Sequence, residues 1–221
     1  MRIKSDVAME FLGSLVLTVA IVGSGHMAFD LAADNGVKLF INALATAVGL
    51  AVVIRLGMKV SGSHFNPAVS LVMLILKKIT PKVFVFYIFA QILGAIFGAL
   101  LANQLFNRKI LAQSEILRDG SNLFISEIFA TLVLVWIILR FPKRDDLISI
   151  YVPIWIFGAI IFTSSTAFAN PAITIGRVFT SSIVGISPSS VFAFILAQLI
   201  GALLGLLIAR QVTNPVRASD E

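Results

Sequence analysis

The sequence predicts an all-α membrane protein with six transmembrane helices and two re-entrant half-helices, arranged as an inverted internal repeat. Three observations carry that prediction. Of the 221 residues, 58% are hydrophobic and only 13% charged, against about 25% charged in an ordinary soluble domain, and mean hydropathy is +1.00. The charges fall in short clusters between apolar runs long enough to span a bilayer, which takes about 20 mostly apolar residues. Finally, two Asn-Pro-Ala triplets each open an apolar segment too short to cross, and the residues around them recur in the same order in both halves.

In chain order, the spans are read at about 7–29, 37–58, 82–106, 121–141, 147–166 and 189–210. The first follows Met-Arg-Ile-Lys, which has the look of a signal-peptide n-region. The apolar run from Val7 to Phe29 exceeds a usual h-region and shows no clear small-x-small cleavage site, so it is read as a retained helix. Short segments at about 67–78 and 171–182 occupy corresponding places in the two halves, the mark of half-helices that dip into the membrane.

The duplication is specific. Glu10 in the first span is followed by Ser-Gly-Ser-His-Phe-Asn-Pro-Ala-Val-Ser at 61–70 and Ala-Gln-x-x-Gly-Ala-x-x-Gly at 90–98. Glu127 in the fourth is followed by Ser-Thr-Ala-Phe-Ala-Asn-Pro-Ala-Ile-Thr at 165–174 and the same Ala-Gln pattern at 197–205. Residues 1–221 therefore read as one domain, with repeat 1 at about 1–110 and repeat 2 at about 120–212. Three spans per repeat is an odd number, so the repeats sit in the membrane with opposite topology. The glycines Gly94, Gly98, Gly201 and Gly205 read as close helix contacts.

Charge sets the orientation. With both termini inside, the cytoplasmic basic residues are Arg2, Lys4, Arg55, Lys59, Lys77, Lys78, Lys82, Arg140, Lys143, Arg144, Arg210 and Arg217, against Lys38, Arg108, Lys109, Arg118 and Arg177 outside. This obeys the positive-inside rule and places the chain in the cell (inner) membrane as a multi-pass protein. The first Asn-Pro-Ala then enters from the cytoplasm and the second from outside. The tail after about Thr213 reads as mobile.

Several function classes drop out. The net charge of +6 does not indicate nucleic acid, because the basic residues do not interleave with aromatics on one face. With no cysteine, disulfides and thiolate chemistry are excluded. His26 and His64 lie too far apart for a metal site. Asp145-Asp146 follows Lys143-Arg144 in a turn and reads as a solvated face. No nucleophile and base cluster together, so there is no catalytic site, and nothing calls for a cofactor.

Asn-Pro is a helix start: Asn caps, and Pro suits the first helical position. Two such starts entering from opposite faces meet near the midplane, each carrying roughly +0.5 charge from unpaired N–H groups. Two positive ends at a narrow point repel cations, hydronium included. The side-chain amides of Asn66 and Asn170 can donate to a passing oxygen, which orients it and interrupts a proton wire.

Asn66-Pro67-Ala68, Asn170-Pro171-Ala172, the preceding Ser61-Gly62-Ser63-His64-Phe65, both Ala-Gln-x-x-Gly-Ala patterns and the two membrane glutamates together resemble the aquaporin (major intrinsic protein) family over nearly the whole chain. The resemblance implies one pore per subunit and a homotetramer in the lipid bilayer. It implies that Glu10 and Glu127 accept hydrogen bonds from the re-entrant loops, a role suited to carboxylates that need partners inside a membrane. His64 is expected to line the pore or to bond a loop carbonyl, and His26 to be structural.

The sequence departs from the familiar pattern at the filter. Water and glycerol channels of this family carry an arginine directly after the second triplet; here that residue is Ile173. Spacing from the asparagines puts the other filter positions at Thr46, Gly158 and Ala167. The set is small, mostly apolar and wide, which favours neutral solutes larger than water. The stretch from Phe168 to Arg177 resembles a bacterial branch tied to arsenic resistance, whose second motif also lacks that arginine. Arg177 shares a helix face with Ile173 and leans back toward the neck. It reads either as a displaced filter cation or as a tie for the outer loop. The function expected is passive passage of small uncharged solutes: metalloid hydroxides such as arsenous acid, glycerol-like polyols and water. The alternatives are an ordinary water-selective channel and, more distantly, a secondary transporter, which would show ion-coupling carboxylates beside the breaks.

Overall fold

The computed structural model describes residues 3–212. Arg2, Arg217 and the tail after Thr213 lie outside the described residues. Eight α-helices follow in order: α1 (Ile3–Leu31), α2 (Asn35–Gly57), α3 (Pro67–Ile75), α4 (Pro81–Leu105), α5 (Ser121–Arg140), α6 (Asp145–Phe162), α7 (Pro171–Gly176) and α8 (Pro188–Val212). Among the described residues, six of these are long and apolar enough to cross a membrane, and they match the six expected spans to within a few residues. Both half-helices stop earlier than expected. Lys77 takes a left-handed φ of 57°, and the N–H groups of Lys77 and Lys78 close back on Leu74 and Met73, a Schellman ending for α3. At the end of α7, Gly176 packs so closely on α4 that a Cβ there would lie 2.7 Å from the Ala95 carbonyl oxygen. The chain then tightens into a 3-10 turn, Arg177–Phe179.

The distribution of polarity is inverted relative to a water-soluble protein. Glu10, Gln91, Asn103, Glu127 and Gln198 are wholly buried, while Phe89, Phe97, Leu105 and Phe192 are exposed. That suits a chain whose outer solvent is hydrocarbon and whose polar groups must find partners inside. The repeats are built alike. In the first, Gly94 and Gly98 of α4 let the backbone of α1 come close, so that added Cβ atoms would lie 2.3 and 2.5 Å from the carbonyl oxygens of Phe11 and Leu15. In the second, Gly201 and Gly205 of α8 stand equally close to Ile128 and Leu132 of α5. The packing role expected of the four glycines is the observed one. The repeats meet where α2 packs on α6, where α7 packs on α4 and α3 on α8, and where α3 approaches α7.

Six crossings put both described chain ends on one face, here the terminal face, with the connections 58–66, 76–80 and 141–144. The other, far face carries 32–34, 106–120 and 163–187. The loop before Asn66 enters from the terminal face and the loop before Asn170 from the far face.

Candidate functional site

Each re-entrant loop has to enter the protein without strands or helices to satisfy its backbone. Glu10 supplies the missing acceptors for the first. Its carboxylate accepts from Ser61 Oγ at 2.6 Å, the His64 N–H at 2.9 Å, the Phe65 N–H at 2.6 Å and Gln91 Nε2 at 2.7 Å. Glu127 does the same for the second, with Ser165 Oγ at 2.6 Å, the Phe168 and Ala169 N–H groups at 2.8 and 2.9 Å, and Gln198 Nε2 at 2.7 Å. Neither glutamate reaches the surface. The two glutamines were not singled out from the sequence, although they are the Gln of both Ala-Gln patterns. Each also donates to the hydroxyl one turn into the half-helix, Ser70 or Thr174.

The loops themselves are held in left-handed conformations at matching places. Gly62, Ser63 and Phe65 in the first and Thr166, Ala167 and Ala169 in the second all have positive φ. Such conformations cost about 1 kcal/mol or more for each non-glycine residue and persist only when the surroundings impose them. Here the carboxylates impose them. No protein group among the described residues donates to the carbonyls of 62–64 or 166–168, and both stretches line one cavity.

Asn66 and Asn170 cap α3 and α7: their Oδ1 atoms accept from the Ala68 and Ala172 N–H groups at 2.9 and 3.0 Å. Their amides also cross between the repeats. Asn66 Nδ2 donates to the Ala169 carbonyl and Asn170 Nδ2 to the Phe65 carbonyl, both at 2.8 Å. The two helix starts therefore meet tip to tip, as expected. The expectation that both amides serve the lumen needs one refinement: one N–H of each ties the loops together.

The cavity between them measures about 360 Å³ and runs from Lys78 and Lys143 at the terminal face to Phe168 and Arg177 at the far side. One wall is polar, made of the re-entrant loops and the asparagines. The facing wall is aliphatic, with Leu50 and Ile54 of α2, Leu134 and Ile138 of α5 and Val152 and Ile156 of α6.

Of the expected filter residues, Thr46, Ala167, Ile173 and Arg177 line this cavity, and Gly158 does not. From α6 the lining residues are Ile148, Val152, Ile156 and Ile160, one per turn. Gly158 lies two positions, or about 200° of helix rotation, from both Ile156 and Ile160. Counting back from Asn170 assumed one length for the connection after α6, and that connection sets the phase. Thr46 Oγ1 is buried without a protein partner among the described residues.

His64 lines the cavity near the terminal face, its Nδ1 3.0 Å from Ser70 Oγ and its ring edge-on to Tyr87. His26 is structural: it is buried at the far side, 3.0 Å from Asn103 Oδ1. Arg177 ties down the far loop and also borders the cavity. It is 4% exposed, lines the cavity, and donates through Nε to the Val184 carbonyl of the far loop. Its guanidinium carbon lies 3.2 Å from the centroid of the Phe168 ring. Phe168 and Asn42, also on the cavity wall, were not singled out from the sequence, because their roles depend on distant partners: Arg177 and Phe194 for Phe168, and Ile21 and Ser24 of α1 for Asn42.

The family model described as major intrinsic protein matches residues 1–165. The chain is 39% identical over 211 residues to "Aquaglyceroporin AqpS" of Rhizobium meliloti (strain 1021), covering 94% of this chain and 90% of that one. It is 28% identical to "Glycerol uptake facilitator protein-like 6" of Lactiplantibacillus plantarum, covering 91% and 94%. Among solved structures, the aquaglyceroporin from Plasmodium falciparum matches with a TM-score of 0.78 at 20% identity, over 95% of this chain and 96% of that one; that likeness bears on the fold.

Proposed function

The chain belongs to the major intrinsic protein family, and from that membership we propose that it is a passive transmembrane pore for small uncharged solutes, with glycerol-like polyols, metalloid hydroxides such as arsenous acid, and water as its cargo. One observation carries the reading: a single lumen passes between two cross-tied asparagine caps, with a polar wall facing an aliphatic one. A polyol can lay its carbons on the aliphatic wall and its hydroxyls against the loop carbonyls and the free asparagine N–H groups. A cation entering from either side meets the positive ends of α3 and α7. The neck is formed by Thr46, Ala167, Ile173 and, in place of Gly158, Ile160. It is apolar and lacks a charged side chain directly after the second triplet, which favours neutral solutes above water in size. The relative named an aquaglyceroporin supports this choice over a water-only pore.

The assembly is a homotetramer in the inner membrane with both termini in the cytoplasm, which the basic residues of the terminal face favour. The test is stopped-flow light scattering on proteoliposomes. Glycerol and arsenous acid enter faster than in empty vesicles, with no proton leak. Fast water with no larger solute would return the reading to a water-selective pore, and flux that follows an ion gradient would remove the channel class. Ile173→Arg narrows the neck and cuts glycerol more than water.

A further inference from the structure

The seam between α2 and α6 has two sides. Toward the lumen it presents Leu50 and Ile54 of α2 with Ile148 and Val152 of α6. On its outer side it opens into a groove lined by Ala51, Val52, Arg55, Leu56 and Ser149. The hollow has a cause in the sequence. Ala51 and Ser149 are small, whereas Val52 and Leu56 stand exposed beside them. The backbone of α6 is also interrupted there, because Pro153 lies inside the helix and has no N–H for the Ser149 carbonyl. Ser149 Oγ donates to the Asp146 carbonyl at 2.8 Å, so its hydroxyl is engaged within its own helix.

The groove carries one charge. Arg55 stands exposed in the last turn of α2, at the terminal face, while Ala51 and Val52 lie one turn deeper. The ion pairs among the described residues are Arg108 with Asp30 and Arg144 with Asp146, so Arg55 has no carboxylate partner there. Lys59, exposed in the turn that follows α2, adds a second positive charge. The acidic residues at this face among the described residues are Asp6, which is buried, Asp145 and Asp146. None of them lines the groove, and Arg144 holds Asp146 through two hydrogen bonds. Any arginine at a helix end can reach for the headgroup layer. Arg55 does so from the mouth of an apolar trough that runs inward along α2. A second copy of the chain, standing the same way up in the membrane, would bring the same excess of basic residues to this level. The occupant that fits is an anion with an apolar tail.

We propose that the groove between α2 and α6 is a site for one anionic phospholipid of the terminal-side leaflet. The lipid phosphate takes charge-assisted hydrogen bonds from the Arg55 guanidinium, and one acyl chain lies along Ala51, Val52 and Leu56. The site shares no lining residue with the lumen, so it is separate from the solute path and does not depend on what the pore conducts. Its effect is on the wall. A chain seated in the groove packs against the seam whose other side lines the lumen, and a ligand that binds only the folded chain stabilises it.

The test uses full-length protein in detergent: wild type, Arg55→Gln, Arg55→Lys, Ala51→Phe and, as a basic residue of the same face on α8, Arg210→Gln. Native mass spectrometry counts bound lipid during titration with phosphatidylglycerol or with phosphatidylcholine of the same chains, and thermal unfolding reads the stabilisation. Wild type retains one phosphatidylglycerol per chain and prefers it to phosphatidylcholine about tenfold or more, the worth of a hydrogen bond to a charged group. Arg55→Gln erases the preference. Arg55→Lys falls between, because a point charge lacks the planar fork. Ala51→Phe weakens phosphatidylglycerol about fivefold or more, the loss of one or two buried methylenes. Arg210→Gln behaves as wild type. Glycerol 3-phosphate, which has the phosphate without the chains, gives no thermal shift. An undiminished preference in Arg55→Gln would overturn the proposal, and an equal loss in Arg210→Gln would reduce it to general surface charge. A shift from glycerol 3-phosphate as large as that from phosphatidylglycerol would make the groove irrelevant. Wild type that holds no lipid, with Ala51→Phe changing the number of chains in the assembly, would assign the groove to a subunit contact instead. Should Ala51→Phe fail to fold, Arg55→Gln, at an exposed position, still decides.

Discussion

Two residues before each cap asparagine stands His64 in the first re-entrant loop and Phe168 in the second, and around this difference two otherwise matching segments diverge. Both loops hang from a buried glutamate, both are locked by a glutamine, and both place left-handed residues at the same three offsets from the asparagine. His64 turns to Ser70 and Tyr87 and leaves its half-helix neighbour Met73 unbonded on the lumen wall. Phe168 carries Arg177, the residue matching Met73, on its ring. The duplicated parts are those that hold a loop inside a membrane. The parts that differ are those a solute meets, so scaffold and selectivity can be tested separately.

The largest effect is expected where the repeats agree. Glu10→Ala or Glu127→Ala leaves four donors without an acceptor, two of them loop N–H groups. At about 1 kcal/mol or more per orphaned donor, either change removes about 4 kcal/mol or more. Thermal unfolding in detergent should show both variants equally damaged and flux abolished in both. A large loss in one repeat alone would break the equivalence.

The next effect probes how each repeat fills the space behind its loop. Phe65 is buried against Gly13, where an added Cβ would lie 2.1 Å from the ring. In the second repeat the matching pair is Ala130 and Ala169, both buried. Gly13→Ala should cost about 1–3 kcal/mol by overpacking, and Phe65→Ala about 3–5 kcal/mol through the void it leaves. The double variant recreates the pairing of the second repeat and should cost clearly less than the two together. Additive losses in the melting curves would show that the two positions do not substitute for each other.

How much of this was legible in the sequence follows from the range of each interaction. The helix starts at Pro67 and Pro171 are local, written in the cap residue and the proline after it. The glutamates stood out because an ionisable side chain in an apolar run needs a partner. Gln91 was visible as part of a pattern, but its bond to Glu10 needs α4 laid against α1, a contact across 81 residues. The α6 residue at the neck is hard to read for a different reason. Helical phase carries through a helix but not across the irregular connection at 163–170, so counting back from Asn170 reached Gly158 when the lumen face carries Ile160. Arg177 lay between two readings because only the folded far loop brings Phe168 beneath it.

That phase correction yields a sharper flux test. Ile160→Trp fills the lumen and should cut glycerol flux about tenfold or more, a barrier rise of about 1.4 kcal/mol. Gly158→Trp, whose first added atom meets the movable rim of the Phe162 ring at 3.0 Å, should leave flux nearer the wild type. The reverse order would restore Gly158 to the neck.

The smallest effect concerns the hydroxyls at the fourth residue after each asparagine. Ser70 Oγ and Thr174 Oγ1 each accept from the repeat's glutamine, at 3.0 and 2.9 Å. Thr174 gives its one proton to the Asn170 carbonyl, inside its own half-helix. The Ser70 hydroxyl instead pairs with His64 Nδ1 on the lumen wall. Ser70→Ala and Thr174→Ala should therefore each cost about 1 kcal/mol, the worth of an ordinary hydrogen bond, and be indistinguishable by melting. They should part in transport. Ser70→Ala releases the imidazole beside the lumen and alters glycerol flux modestly, whereas Thr174→Ala touches nothing a solute passes and leaves flux unchanged. Equal flux in the two would mean that His64 is held by Tyr87 alone, and that the divergence between the loops reaches the solute only through Phe168 and Arg177.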